Sequence, residues 1–117
     1  MMNFRPISDE TEGEALAARC NLPYRAAIPA YVAEQNGEAV ALLRFRLMED
    51  RVLLHSIGFS QNNTPERETI TRELLYAVFT FAIGTGRYRL QCKKDFPAEY
   101  LRNEGFVEDS TGIFSLK

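Results

Sequence analysis

The chain has 117 residues, 45% of them apolar and 26% charged, with eight Phe and five Tyr. That composition suits a single globular domain over residues 1–117 and excludes a disordered chain. A formal net charge of -2 gives no general attraction to nucleic acid or to an anionic membrane surface, so neither is an expected partner. Two cysteines without CxxC spacing, Cys20 and Cys92, and the lone His55 leave a zinc or disulfide framework short of ligands, and no metal is expected. The opening Met-Met-Asn-Phe-Arg-Pro has no apolar signal region, and no run approaches the roughly 20 apolar residues that span a bilayer. A cytoplasmic protein with reduced thiols is the expectation.

In chain order, Asn3 to Ile7 reads as a first strand, and Asp9, Glu10 and Glu12 as the acidic first turn of a helix to Cys20. Asn21-Leu22-Pro23 ends it. Asn36-Gly37 is a type I′ hairpin signal that joins strands Ala30 to Gln35 and Glu38 to Leu47. A turn at Glu49-Asp50 leads to a strand from Arg51 to Phe59. Along the second hairpin strand Ala39, Ala41, Leu43, Phe45 and Leu47 make one apolar face, and Arg44 and Arg46 open the other to water.

After the polar run Ser60-Gln61-Asn62-Asn63, Thr64 reads as a helix cap and Pro65 as the first helical residue. Ile70, Leu74, Val78 and Phe81, widened by Leu75, Phe79 and Ala82, give that helix a broad apolar stripe for packing on a sheet. Gly84 and Gly86 stop it before a strand from Arg87 to Cys92. Asp95 reads as the cap of a short helix that ends at Gly105, and Phe106-Val107 with Ile113 to Leu116 as a closing hairpin.

This order of elements, together with Glu99-Tyr100-Leu101-Arg102-Asn103-Glu104-Gly105-Phe106, resembles the GNAT (Gcn5-related N-acetyltransferase) superfamily and its closing helix of the pattern F-Y-x-x-L-G-F. Leu53-Leu54-His55-Ser56-Ile57-Gly58-Phe59, running through a polar loop into the long helix, is similar to the family's coenzyme-holding strand. The resemblance implies an α/β (α+β) fold with a mixed, mainly antiparallel sheet and helices on both faces. It also implies that acetyl-CoA or another acyl-CoA is bound by Ile57, Gly58, Phe59, Arg67, Thr69, Thr71 and Arg72. The family's Gln/Arg-x-x-Gly-x-Gly/Ala loop falls on Glu66-Arg67-Glu68-Thr69-Ile70-Thr71, so each defining position is substituted. A carboxylate ~6 Å from one phosphate charge opposes binding by roughly 3 kcal/mol at an effective dielectric of 20, before screening. The tyrosine that often serves as general acid in the family falls at Leu101, and Tyr100, one position away, is assigned the core slot of the family's Phe.

Each candidate has a plainer reading beside it. His55 is a candidate general base or a packed histidine that alternates with Leu53 and Ile57; Tyr100 is a candidate acid. Glu49 and Asp50 can deprotonate an amine, although a tight turn favours solvated turn residues. Arg44, Arg46 and Arg51 can hold a carboxylate or phosphate, against the favoured reading of a wet sheet face. Lys93 and Lys94 can meet a nucleotide phosphate or merely decorate a strand end. Cys92 can be a nucleophile, against the favoured reading of a small core hydrophobe. The implied function is acyl transfer from acyl-CoA to a small-molecule or peptide amine. The alternative is a catalytically inactive binding module, or one that self-associates as a homodimer through a strand edge or the Phe-rich helix.

Overall fold

The computed structural model describes residues 2–23, 28–61 and 66–116. Seven strands form one sheet around three helices: β1 (Met2–Pro6), α1 (Glu10–Arg19), β2 (Ala30–Gln35), β3 (Glu38–Leu47), β4 (Val52–Phe59), α2 (Arg67–Gly84), β5 (Arg89–Cys92), α3 (Glu99–Asn103), β6 (Phe106–Glu108) and β7 (Ile113–Leu116). The sheet order is β1-β2-β3-β4-β5-β7-β6. Every neighbouring pair is antiparallel except β4 and β5. Those two run parallel because α2 carries the chain back along the sheet between them.

The helices cover both faces, as the sequence implies. Ile70, Leu74, Leu75, Val78 and Ala82 of α2 join Ala41, Leu43, Phe45, Val52, Leu54, Leu90 and Phe114 in the larger core. Each fully buried aliphatic side chain there contributes about 1.5–3 kcal/mol. Leu101 of α3 belongs to the same core, and Phe79 meets Phe106 edge to face at 5.0 Å. On the opposite face Ala17 and Cys20 close over Ala30, Val32, Ala39 and Leu42.

Local signals explain most boundaries. The Asp9 side chain accepts from the Glu12 N–H at 2.8 Å and caps α1, and Asn36 and Gly37 take φ 55° and 81°, as a type I′ turn requires. Gly86 at φ 84° follows α2. The expected caps of the two later helices differ. Thr64 and Pro65 lie outside the described residues, and α2 starts at Arg67 after Glu66, a left-handed residue at φ 62° whose side chain makes no capping bond. Asp95 does not cap α3, whose N-cap is Ala98; the Phe96 N–H instead donates to the Lys93 carbonyl in a turn that buries the Phe96 ring.

Two bulges redirect side chains that strict alternation would misplace. Between β2 and β3 the register passes from Ala33↔Ala41 to Glu34↔Ala39, leaving Val40 extra. Ala39 therefore turns to the α1 side, away from Ala41, Leu43 and Phe45. Between β3 and β4 it passes from Arg44↔Ser56 to Phe45↔Leu54, leaving His55 extra. The supposed apolar face of β3 is thus interrupted at Ala39, and its far end, Leu47, is exposed.

Candidate active site

The parallel pairing of β4 and β5 is short. It runs Val52↔Leu90, Leu53↔Gln91 and Leu54↔Cys92, with a last bond from the Lys93 N–H to the Leu54 carbonyl at 2.9 Å. β4 continues to Phe59, so its second half borders a gap. The Ser60 N–H bonds to the Val40 carbonyl, which fixes Val40, Leu42 and Arg44 as the β3 residues whose backbone faces β4. Gly58 and Ser56 are their partners. Antiparallel alternation then directs the backbone groups of Ile57 and Phe59 away from β3 and into the gap.

The Phe59 carbonyl is taken by Asn21 Nδ2 at 2.9 Å. Asn21 holds φ 61° just beyond α1, a conformation asparagine tolerates. Sequence reasoning read Asn21 as a helix end and missed this reach across 38 residues. Gly58 also differs from the expected coenzyme contact: its bare Cα is packed against the Cys20 carbonyl and Leu22. Its missing side chain accommodates the α1 turn.

At the start of α2 the amides of Arg67, Glu68 and Thr69 precede the first intrahelical bond, Ile70 N–H to Glu66 carbonyl, and such amides favour an anion. The Arg67 guanidinium lies 4.2 Å from the centre of the Phe59 ring, joining the helix start to the gap. Thr69 is exposed beside it. Thr71 is not. It is 1% exposed, and its hydroxyl donates to the Arg67 carbonyl at 2.8 Å, so it faces the core instead of a phosphate cradle.

Arg72 and Tyr100 meet in a recess of about 90 Å³ shared with Glu68, Asn103 and Glu104. In α3, Leu101 is the buried core residue and Tyr100 is half-buried at its edge, which reverses the expected core slot. Tyr100 therefore lies on the α2 side of the sheet.

His55 lies on the other side. Leu54 and Ile57 both pack on the α2-side core, so the bulge places His55 and Ser56 together on the α1 side, and His55 does not share a face with Ile57. His55 Nδ1 is 2.9 Å from Ser56 Oγ, and its Nε2 is 3.2 Å from Lys93 Nζ. Arg44 Nε donates to the same Ser56 Oγ at 2.8 Å, and its Nη1 donates to the Pro23 carbonyl. An ammonium can only donate. With Lys93 on Nε2, the imidazole proton is assigned to Nδ1 and points at Ser56.

Arg44 is 4% exposed, which corrects its assignment to a wet face; Arg46 is exposed as expected. Asp50 pairs with Arg51 at 2.7 Å in the turn, and the Arg51 hydrogen bond holds its carboxyl below the usual range. Burial pushes the Cys92 thiol up to about 12 and the Cys20 thiol up to about 11, so neither supplies thiolate near neutrality. Among the described residues no His/Cys/Asp/Glu group has a metal-binding arrangement, and no helix is long and apolar enough to cross a membrane.

The fold is that of the Gcn5-related N-acetyltransferases. Ribosomal-protein-S18-alanine N-acetyltransferase from Escherichia coli is similar at a TM-score of 0.67 and 16% identity, over 99% of this chain and 93% of that one. A GNAT family acetyltransferase from Streptococcus pneumoniae gives 0.65 and 15%, over 95% and 91%. N-acetylglutamate synthase from Neisseria gonorrhoeae, complexed with coenzyme A and L-arginine, gives 0.69 and 14%, over 99% of this chain and 33% of that longer one. No protein-family model matches the sequence, and no curated protein matches it.

Proposed function

We propose that the chain is an acyl-CoA-dependent N-acyltransferase whose acyl group lies in the gap beside β4. The observation that carries this reading is the early end of β4–β5 pairing, which leaves the Ile57 backbone directed away from β3 past the last β5 bond, on the strand whose Phe59 ring meets Arg67 at the start of α2. The solved structure with coenzyme A on the same fold supports it. The coenzyme would supply a thioester carbonyl carbon open to attack by an amine, the C–S bond breaking as the C–N bond is completed and the coenzyme leaving as a thiol that takes up the proton the amine lost.

Around that carbon the chain's own groups divide the work. The Ile57 N–H is placed to donate to an oxygen that gains negative charge, a preorganised contribution that strengthens as charge develops. Arg67 and the first amides of α2 oppose the charge of a pyrophosphate. His55, the single histidine of the chain, lies on the α1 side of the sheet beside Lys93. Its Nε2 accepts the amine proton once the amine replaces Lys93 Nζ, while Ser56 holds the Nδ1 proton. Tyr100 stands across the sheet beside Arg72 and has no part in the amine's deprotonation.

Calorimetric titration with acetyl-CoA and longer acyl-CoAs tests the reading. Micromolar to millimolar binding is expected, and His55→Ala lowers kcat/KM by about 100-fold while leaving coenzyme affinity unchanged. No heat and no melting shift at millimolar coenzyme would sink it. The rival reading, a GNAT-fold binding module without catalysis, draws on Glu66 at the helix start and Thr71 turned inward; coenzyme binding without turnover of any amine would favour it.

A further inference from the structure

Resting on the acyltransferase reading, we propose that the amine acceptor carries an anionic group, a carboxylate or a phosphate, held on the cationic sheet face around Arg46 and Lys93. The chain as a whole is slightly acidic, with a formal net charge of -2. Several of its cations, Arg44, Arg46, Arg89 and Lys93, nevertheless fall on one half of one sheet face. Leu43, Phe45, Val52, Leu54, Leu90 and Phe114 point to the α2-side core. Alternation therefore places Arg44 and Arg46 of β3, Leu53, His55 and Ser56 of β4, Arg89 and Gln91 of β5, and Lys93 just beyond it on the opposite side.

The helix on that side does not reach them. Among the described residues α1 and the segment after it close over Leu42, Gly58 and the buried Arg44, whose Nη1 donates to the Pro23 carbonyl, and no helix packs beyond. Arg46 sits across from Leu53, and Leu53 from Gln91, whose Oε1 accepts from Arg51 Nε at 2.6 Å, so Leu53, Gln91 and the Asp50-paired Arg51 lie between Arg46 and Lys93. Lys93 in turn touches His55 at the mouth of the gap.

Two acidic groups at the border are already engaged. Asp50 is paired to Arg51, and the Asp109 carboxylate accepts from the Thr111 hydroxyl and from the Thr111 and Ile113 amides. Among the described residues neither Arg46 nor Lys93 makes an ion pair. For an acceptor whose amine approaches His55 over this face, an anion on it gains from both cations while a further cation is repelled. That charge complementarity selects the substrate class.

Backbone-amide chemical shifts test the proposal in the full chain, with and without acetyl-CoA. The probes are matched pairs: phosphoethanolamine against ethanolamine, β-alanine against its amide, and Ala-Glu-Glu-Ala against the Ala-Gln-Gln-Ala amide. The anionic member of at least one pair is expected to move the Leu53, Ser56 and Lys93 amides and to bind roughly 10-fold tighter than its neutral partner. Arg46→Gln and Lys93→Gln are each expected to reduce that preference by about 3–5-fold. The responding pair identifies a phosphate, a small carboxylate or an acidic peptide as the source. Equal binding of neutral and anionic members, anionic probes that leave those amides unmoved, or an unchanged preference in Arg46→Gln would overturn the proposal. Anion binding in a chain that does not bind acetyl-CoA would instead overturn the acyltransferase reading, and the anion site would stand without the role of acceptor site.

Discussion

Gly58 and Cys20 meet backbone to backbone: a Cβ on Gly58 would sit 2.6 Å from Leu22 Cγ and closer still to the Cys20 carbonyl oxygen. This contact seats the end of α1 on the far half of β4, and from that seat Asn21 reaches the Phe59 carbonyl. Gly58→Ala forces backbone to move, so it should destabilise the chain by about 3 kcal/mol, the upper end for overpacking. A urea unfolding series measures this. A loss under about 1 kcal/mol would mean that the α1 turn is not held there.

Asn21→Ala separates the hydrogen bond from the packing. It removes a bond to a carbonyl at the gap and a residue suited to φ 61°, and an expected loss of about 1–2 kcal/mol follows from both effects. Asn21→Gly keeps the backbone conformation accessible and should recover part of that loss. Equal destabilisation by the two variants, read from the same urea series, would contradict the assignment of two contributions.

The sequence made the hairpin, the acidic first turn of α1 and the α2 stripe legible because each rests on neighbours a few residues apart. What it hid was non-local. The extra residues Val40 and His55 are set by pairing with another strand, and no local composition marks a bulge. Arithmetic by twos therefore put His55 with Ile57 and Ala39 with Ala41. Arg44 looked wet for the same reason: its burial depends on Pro23 and Ser56, from two different elements. Glu66 was legible as a charge at the helix start, but its left-handed backbone was not.

Glu66 combines that charge with φ 62°, so two substitutions separate the effects. Glu66→Gln removes only the charge and should tighten acetyl-CoA binding several-fold, up to the roughly 100-fold limit set by an unscreened carboxylate near phosphate. Glu66→Gly also relieves the backbone and should add about 0.5–1 kcal/mol of stability. Calorimetry and thermal melts read the two separately. Unchanged affinity in both variants would place the pyrophosphate elsewhere.

Thr71 and Thr69 should respond differently, although both fall on the family's loop positions. Thr71→Val removes a hydroxyl that already bonds within the helix, so acetyl-CoA affinity should stay within about twofold and stability within about 1 kcal/mol. Thr69→Val alters an exposed side chain in the first turn and should weaken binding measurably. The reverse ranking by titration calorimetry would show that the helix opens to receive the coenzyme.

The acid limb of stability should report Arg5, which bridges β1, α1 and β2 by pairing with Glu12 at 2.8 Å and Glu34 at 3.0 Å. The Arg5 hydrogen bonds, helped by the Ser8 N–H, hold the Glu12 carboxyl down at about 2 against an ordinary 4.5, and the same guanidinium lowers Glu34. A carboxyl lowered on folding contributes stability that is fully present above its unfolded value and is lost as pH falls through its folded value. The denaturation midpoint should therefore be flat from neutrality to about pH 5 and decline from about 4.5 toward 2. Because all three side chains are partly exposed, solvent screening limits the contribution to about 1–2 kcal/mol. Arg5→Gln should lower stability at neutral pH by that amount and flatten the decline. An unchanged acid limb in Arg5→Gln would assign it to other carboxylates and leave the three-element clamp without energetic weight.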